Sequence, residues 1–319
     1  MSAKQLRLII LTLAVVLLLW GASERFSRGS DTVTGGFSLA APAQSAVDTI
    51  SLMKGKDSIV LAKQSATVWT VNGHRTAPDA VNDLFQALQD SAPPELVAQD
   101  SSSFGRLNVD SAAGRRLRIR GSGKPLLDVI IGARGSEYSS AYLRRLGDSH
   151  VYLWRGRLAS LADRTADEWR DKRIAAVGPD SVVLVDVERG KDRYALTRAG
   201  KTWKLDGAAA DSGAVARLLE KYRTVTAAGF ASPAQADSAR AQRSAARGQR
   251  PARHLTLRSA RGTLVALVFD SIPGAFWVRR TGGVAPGGEP GTLYRMNAWD
   301  VDGLTPASRS LLPAASAKP

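Results

Sequence analysis

The stretch "WTVNGHRTAPDAVNDLFQAL", Trp69–Leu88, returns later as "WKLDGAAADSGAVARLLEKY", Trp203–Tyr222, and the two align without gaps. Trp69 and Val71 lie two apart and so share one side of a strand; Trp203 and Leu205 repeat them. Asn72-Gly73 and Asp206-Gly207 end that strand with residues that tolerate positive φ. Ala80, Val81, Leu84, Phe85 and Leu88 then fall on one face of an α-helix, a spacing kept by Val215, Leu218, Leu219 and Tyr222. Thr76 and Asp79 precede the first apolar run as a helix start does, and Pro78 is tolerated in a first turn. The pair predicts strand, tight turn and helix, twice over.

The likeness extends both ways. "DTISLMKGKDSIVLAK" (48–63) parallels "DSVVLVDVERGKDRYALTR" (180–198), each two strand-like runs around a polar turn with glycine. "RRLRIRG" (115–121) parallels "RHLTLRS" (253–259), with Leu117 and Ile119 alternating against Arg116, Arg118 and Arg120. "LLDVIIG" and "LVALVFD" follow, then "AYLRRLGDSHVYLW" and "FWVRRTGG" with "GTLYRM". The predicted class is α+β: two tandem repeats, each an antiparallel sheet with one packed helix, after an N-terminal transmembrane helix. The copies span 47–161 and 180–312, with a bridging helix over 162–179 and a tail at 313–319. Residues 231–253 read as a low-complexity, arginine-rich loop. A period above about one hundred residues means duplicated domains and not a solenoid.

The N-terminus sets the expected compartment. Lys4 and Arg7 precede an apolar run, Leu8 to Trp20, broken only by Thr12. Such a segment is a signal peptide or a single membrane anchor. Gly21-Ala22-Ser23 is a poor substitute for an Ala-x-Ala cleavage site, which favours an uncleaved anchor over residues 1–26. The positive-inside tendency places the N-terminus in the cytoplasm and the bulk in the periplasm or outside, after a flexible tether at 27–46. Cysteine is absent from the 319 residues, which excludes disulfides, thiolate metal sites and a thiol nucleophile. His74, His150 and His254 form no ligand spacing. The charge of +15, from 44 Lys and Arg against 29 Asp and Glu, has two readings. One is an arginine-rich composition spread over the chain; the other is attraction to a polyanion.

No catalytic, cofactor-binding or metal-binding residue is expected. "GDSH" (147–150) sits between strand-like runs and reads as a hairpin turn. "RGSGKP" (120–125) lacks the upstream glycine of a phosphate loop and has Pro125 where a magnesium-holding hydroxyl belongs. Asp163, Asp167, Glu168 and Asp171 alternate with Arg164, Arg170, Lys172 and Arg173, the mark of a salt-bridged helix face. Trp69 and Trp203 read as core. The candidate partner-contact residues are Arg116, Arg118 and Arg120 on one strand face, and Arg240, Arg243, Arg247 and Arg250 in the arginine-rich loop.

In their order, "D-x-I-x-L", "W-x-V-N-G", "VNDLFQAL", "I-I-G", "VYLW" and "EWRDKRI" make the chain resemble the bacterial family called domain of unknown function 4340. The likeness covers about Val47 to Leu312. Two departures stand out: Phe104-Gly105-Arg106-Leu107 replaces a Tyr-Gly-Leu-like turn, and the second copy carries the arginine-rich segment. The family has no assigned reaction, so the resemblance carries over no catalytic residue. Its members are often encoded beside ABC-type transporter components, which implies an accessory role outside the membrane. The expected function is a membrane-anchored binding or scaffold protein with transporter subunits as partners. The alternative is direct binding of an anionic envelope polymer or lipid; nucleic acid is not an expected partner.

Overall fold

The computed structural model describes residues 39, 41–89, 94–245 and 252–313. The expected anchor (1–26), the tether up to 38 and the residues after 313 lie outside that range. Among the described residues no helix is long and apolar enough to cross a membrane.

Two large antiparallel sheets and a few helices make the fold, an α+β arrangement. The first sheet is built from β1 (Thr49–Lys54), β2 (Asp57–Lys63), β3 (Trp69–Val71), β4 (His74–Arg75), β5 (Glu95–Ala98), β6 (Arg115–Gly121), β7 (Lys124–Arg134), β8 (Ser140–Arg145) and β9 (Val151–Arg155). β10 (Arg173–Ala175) stands apart from it. The second sheet contains β11 (Leu184–Arg189), β12 (Asp192–Ala199), β13 (Thr202–Leu205) and β14 (Ala208–Ala209). β15 (Val225–Thr226) pairs with β10 alone, and β16 (Gly229–Phe230), β17 (Arg253–Ser259), β18 (Gly262–Ile272), β19 (Ala275–Gly282) and β20 (Tyr294–Asn297) complete the second sheet.

The first sheet runs β4-β3-β2-β1-β6-β7-β8-β9-β5 and the second β14-β13-β12-β11-β17-β18-β19-β20-β16, the same order strand for strand. Between β4 and β5 lies α1 (Ala80–Gln89); α2 (Phe104–Leu107), α3 (Leu158–Ala162) and α4 (Ala166–Trp169) follow. After β14 comes α5 (Ser212–Lys221), then α6 (Pro233–Ala245) and α7 (Ala298–Leu304). One helix per copy was therefore too few.

Alternation places the cores. Leu117 and Ile119 of β6 are fully buried, as are Leu255 and Leu257 of β17. In the second sheet these side chains join Val185, Val187, Leu267 and Phe269, against which α5 lays Val215, Leu218 and Leu219. The opposite face of each sheet is covered as well. There α2 and the residues just after it bring Leu107 and Val109 onto Ile130 and Val151. In the second sheet α6 brings Ala239 onto Trp277 and Leu293.

Two other expectations are corrected. Residues 162–179 are not one helix. α4 is a single turn, closed by a capping box between Thr165 and Glu168, and the chain is extended by Arg173. The reason lies in bonds to distant backbone: Ala77 N–H donates to Trp169 O at 2.8 Å, and Asp171 N–H to Arg75 O at 2.8 Å. These bonds replace the intrahelical ones that a continued helix would need. Nor is 231–253 a loop, because α6 occupies 233–245. Ser232 and Gln235 cap it reciprocally, with Ser232 N–H donating to Gln235 Oε1 at 2.9 Å and Gln235 N–H to Ser232 Oγ at 3.3 Å. Its alanines, arginines and glutamines are good helix formers.

Contact density divides the described residues into two compact units. One holds the chain up to Ser58 with Asp83–Asp163; the other holds Ile59–Asn82 with Arg164 onward. This partition cuts the chain at other places than 47–161 and 180–312. The bonds from 75–77 to 169–171 account for the grouping of β3 and β4 with the later residues.

Candidate functional site

The arginines of β6 do not form an open basic stripe. Arg116 holds Asp128 on the neighbouring β7 bidentately, Nε to Oδ1 and Nη2 to Oδ2, both at 2.6 Å. Arg118 Nε donates to Asp128 Oδ2 at 2.9 Å. Register causes this, since Arg118 stands opposite Asp128 and Arg116 opposite Ile130. Burial works to raise the Asp128 carboxyl, but the hydrogen bonds from Arg116 and Arg118 outweigh it and hold the group below the usual carboxylate range. Arg120 remains exposed and donates to Gly123 O at 2.9 Å.

The second group is also divided. Arg240 pairs with Asp237 one turn back at 3.1 Å, both largely in solvent. Arg243 Nη1 lies 3.8 Å from Asp270 Oδ2, which Arg279 Nη2 also meets at 3.1 Å. Arg247 and Arg250 lie outside the described residues.

Other charged groups serve the fold. Asp163 takes Arg134 at 2.9 Å, and Asp167 and Asp171 pair with Arg170 and Arg173. "GDSH" is the β8–β9 turn, with Gly147 at φ 88° and His150 Nδ1 2.8 Å from Asp148 Oδ1. Trp69 and Trp203 are 5% and 7% exposed. Each lies beneath a cation from its register partner, Lys63 at 5.9 Å and Arg198 at 5.2 Å.

Three arrangements were not visible in the sequence. Arg144 of β8 is buried; its Nε donates to Val109 O at 2.9 Å, and its guanidinium lies 4.1 Å from the Phe104 ring. Glu289 gathers four donors: His74 Nδ1 at 3.0 Å, Arg75 N–H at 3.1 Å, Thr292 Oγ1 at 3.1 Å and Arg170 Nη2 at 3.4 Å. Arg170 in turn stacks 3.6 Å above Phe230. Burial works to raise the Glu289 carboxyl, and the bonds from Arg75 and His74 outweigh it and hold it low.

The third is a cleft of about 310 Å³ between the end of α5, β15 and α7. Val225, Met296 and Leu304 give it apolar walls, and Lys221, Thr226 and Asp300 add polar groups. Trp299 stands at its edge, 73% exposed. Because α7 buries Val301 and Leu304, the Trp299 position falls on the outer side of that short helix. That was the available signal: a tryptophan out of phase with the apolar positions of "NAWDVDGL".

A family model described as "Domain of unknown function (DUF4340)" matches residues 69–245, more than half of the 319. No curated protein and no solved structure matches the chain.

Proposed function

The chain belongs to the domain of unknown function 4340 family, and from that premise we propose a non-enzymatic binding and scaffold protein. It would be held at the bacterial cytoplasmic membrane by its N-terminal segment, with the bulk outside. Its partners would be subunits of an ABC-type transporter or envelope-assembly complex, the role that the family resemblance implies. One observation carries the reading: the contrast between engaged charges and exposed apolar side chains. Asp128, Asp163, Asp270 and Glu289 are bound by arginines within the fold. Tyr138, Val284 and Trp299 stand in solvent at 92%, 85% and 73% exposure. Large apolar and aromatic groups of this kind dominate the energetics of protein contacts.

The test is purification of the tagged full-length protein in mild detergent, with mass spectrometry of what accompanies it. Permease and ATPase subunits at near-equal amounts are expected; recovery of the protein alone removes the reading. Binding of an anionic polymer or lipid is the second reading, favoured by the charge of +15 and by exposed Arg120 and Arg240. Pairing of Arg116 and Arg118 with Asp128 weakens it. It requires affinity that drops steeply with salt, and a flat response excludes it.

A further inference from the structure

We propose that the cleft beside Trp299 binds one pyranose ring of an uncharged saccharide. The proposal goes beyond the protein contacts above and gives Trp299 a ligand of its own. Polar side chains from three elements line the cleft: Lys221 in the last turn of α5, Thr224 and Thr226 before and within β15, and Asp300 in the first turn of α7. Asp300 accepts from Asn297 Nδ2 at 3.3 Å and keeps its charge. Among the described residues, the Lys221 ammonium and both threonine hydroxyls have no hydrogen-bond partner within the fold. Val225, Met296 and Leu304 are buried and form an apolar floor. One cation and one anion leave the lining with no net charge.

That combination decides the ligand. An apolar side chain in the cleft would strip water from an ammonium, a carboxylate and two hydroxyls without replacing its hydrogen bonds. A ligand of either charge would meet its own sign in Asp300 or in Lys221. A pyranose carries hydroxyls that both donate and accept, spaced around a ring whose C–H faces are apolar. Those hydroxyls suit an acceptor in Asp300, a donor in Lys221 and both roles in Thr224 and Thr226. The C–H face suits Trp299, a large and rigid aromatic surface standing in solvent at the edge of the cleft. The volume of about 310 Å³ is at the low end for ligand sites, room for one ring and not for a chain of them.

The experiment uses the full-length protein in a detergent without a sugar headgroup. Maltohexaose, cellohexaose and chitotetraose, with glucose as the free-sugar probe, are screened by saturation-transfer NMR and titrated by calorimetry. At least one oligosaccharide is expected to bind at millimolar concentration or below, with the same affinity at low and high salt. Trp299→Ala should weaken it about tenfold or more, and Trp299→Phe less. Thr226→Val keeps the shape and removes the hydroxyl; it should weaken binding severalfold, whereas a bare stacking surface would not respond. Trp299 and Thr226 are both exposed, so these changes leave the core intact. Glucose binding as tightly as the oligosaccharides supports the site with a free sugar as its source; tighter oligosaccharide binding supports it with a polymer as the source. Binding of none of the probes, equal binding by wild type and Trp299→Ala, affinity that drops steeply with salt, or displacement by adenine would overturn the proposal. Such a failure leaves the scaffold reading standing, because that reading is judged on co-purifying subunits.

Discussion

Asn72 and Asp206 perform the same task in the two sheets. Both have φ of 47°. Asn72 Oδ1 accepts from Val60 N–H, and Asp206 Oδ1 from Ala195 N–H, each at 2.8 Å. Their own N–H groups donate back to Val60 O at 2.9 Å and Ala195 O at 3.0 Å. A glycine follows each, at φ 87° and 91°. Left-handed backbone costs an ordinary residue about 1–2 kcal/mol. Asparagine and aspartate tolerate it because a short polar side chain can bond locally.

Asn72→Ala should therefore destabilise the protein by about 1–2 kcal/mol, through the strained φ and the lost bond to Val60. Asn72→Asp should stay within about 0.5 kcal/mol, since the second sheet uses that residue at the same place. Urea-unfolding midpoints of the two variants decide it. Equal midpoints would mean that the side-chain bond does not hold the turn.

Asp128→Asn should lower stability at neutral pH by about 1–3 kcal/mol, because two half-buried guanidiniums lose their shared anion. The pH dependence has a definite sign. The folded Asp128 carboxyl lies below its ordinary value of about 3.9. Its contribution is complete above that ordinary value and is lost as pH drops through the folded one. Unfolding midpoints measured from pH 7 down to pH 3 should show a shallower acid limb in Asp128→Asn than in the wild type.

Glu289→Gln should loosen the loop between β19 and β20 and its bond to β4. Amide exchange at Arg75 should accelerate, because its N–H donates to Glu289 Oε1. His74→Gln should act more weakly, since His74 is 46% exposed and supplies one of the four donors. Unchanged exchange at Arg75 in Glu289→Gln would show that the carboxylate does not organise this segment.

Gly132→Ala should cost about 2–3 kcal/mol. The added Cβ would sit 2.3 Å from Leu107 O and 2.6 Å from Val109 Cγ1, on the segment that covers the second face of the first sheet. Limited proteolysis near Phe104 should accelerate together with a lower unfolding midpoint. Gly105→Ala is the control, with nothing within 4 Å of its new Cβ, and should be neutral or slightly stabilising.

The doubled strand–turn–helix pattern was legible because its signals are short-range. Trp69 with Val71, Asn72-Gly73 and the apolar face of α1 each depend on neighbours within a few residues. α6 was missed for a local reason as well. Its cap, Ser232 with Gln235, is written in the sequence, but Ala239 is the helix's one buried side chain, so no apolar stripe marks it. Arg144 was missed because its environment is made by others. It stands opposite Ile130, a β-branched residue of the preceding strand, and against Phe104 and Val109 of an earlier segment.

Local spacing along the chain was enough to set where it turns, which side of each strand is apolar, and that the pattern occurs twice. Period-two and period-3.6 spacing and left-handed turn residues require no knowledge of the rest of the chain. Which charges meet was set by packing in three dimensions. Asp128 bridges Arg116 and Arg118 because the β6–β7 register sets it beside them. Glu289 reaches His74 across 215 residues of chain. Lys221 and Trp299 meet at one cleft because α5 and α7 pack together. Electrostatic and contact chemistry act through space, and spacing along the chain does not encode those distances.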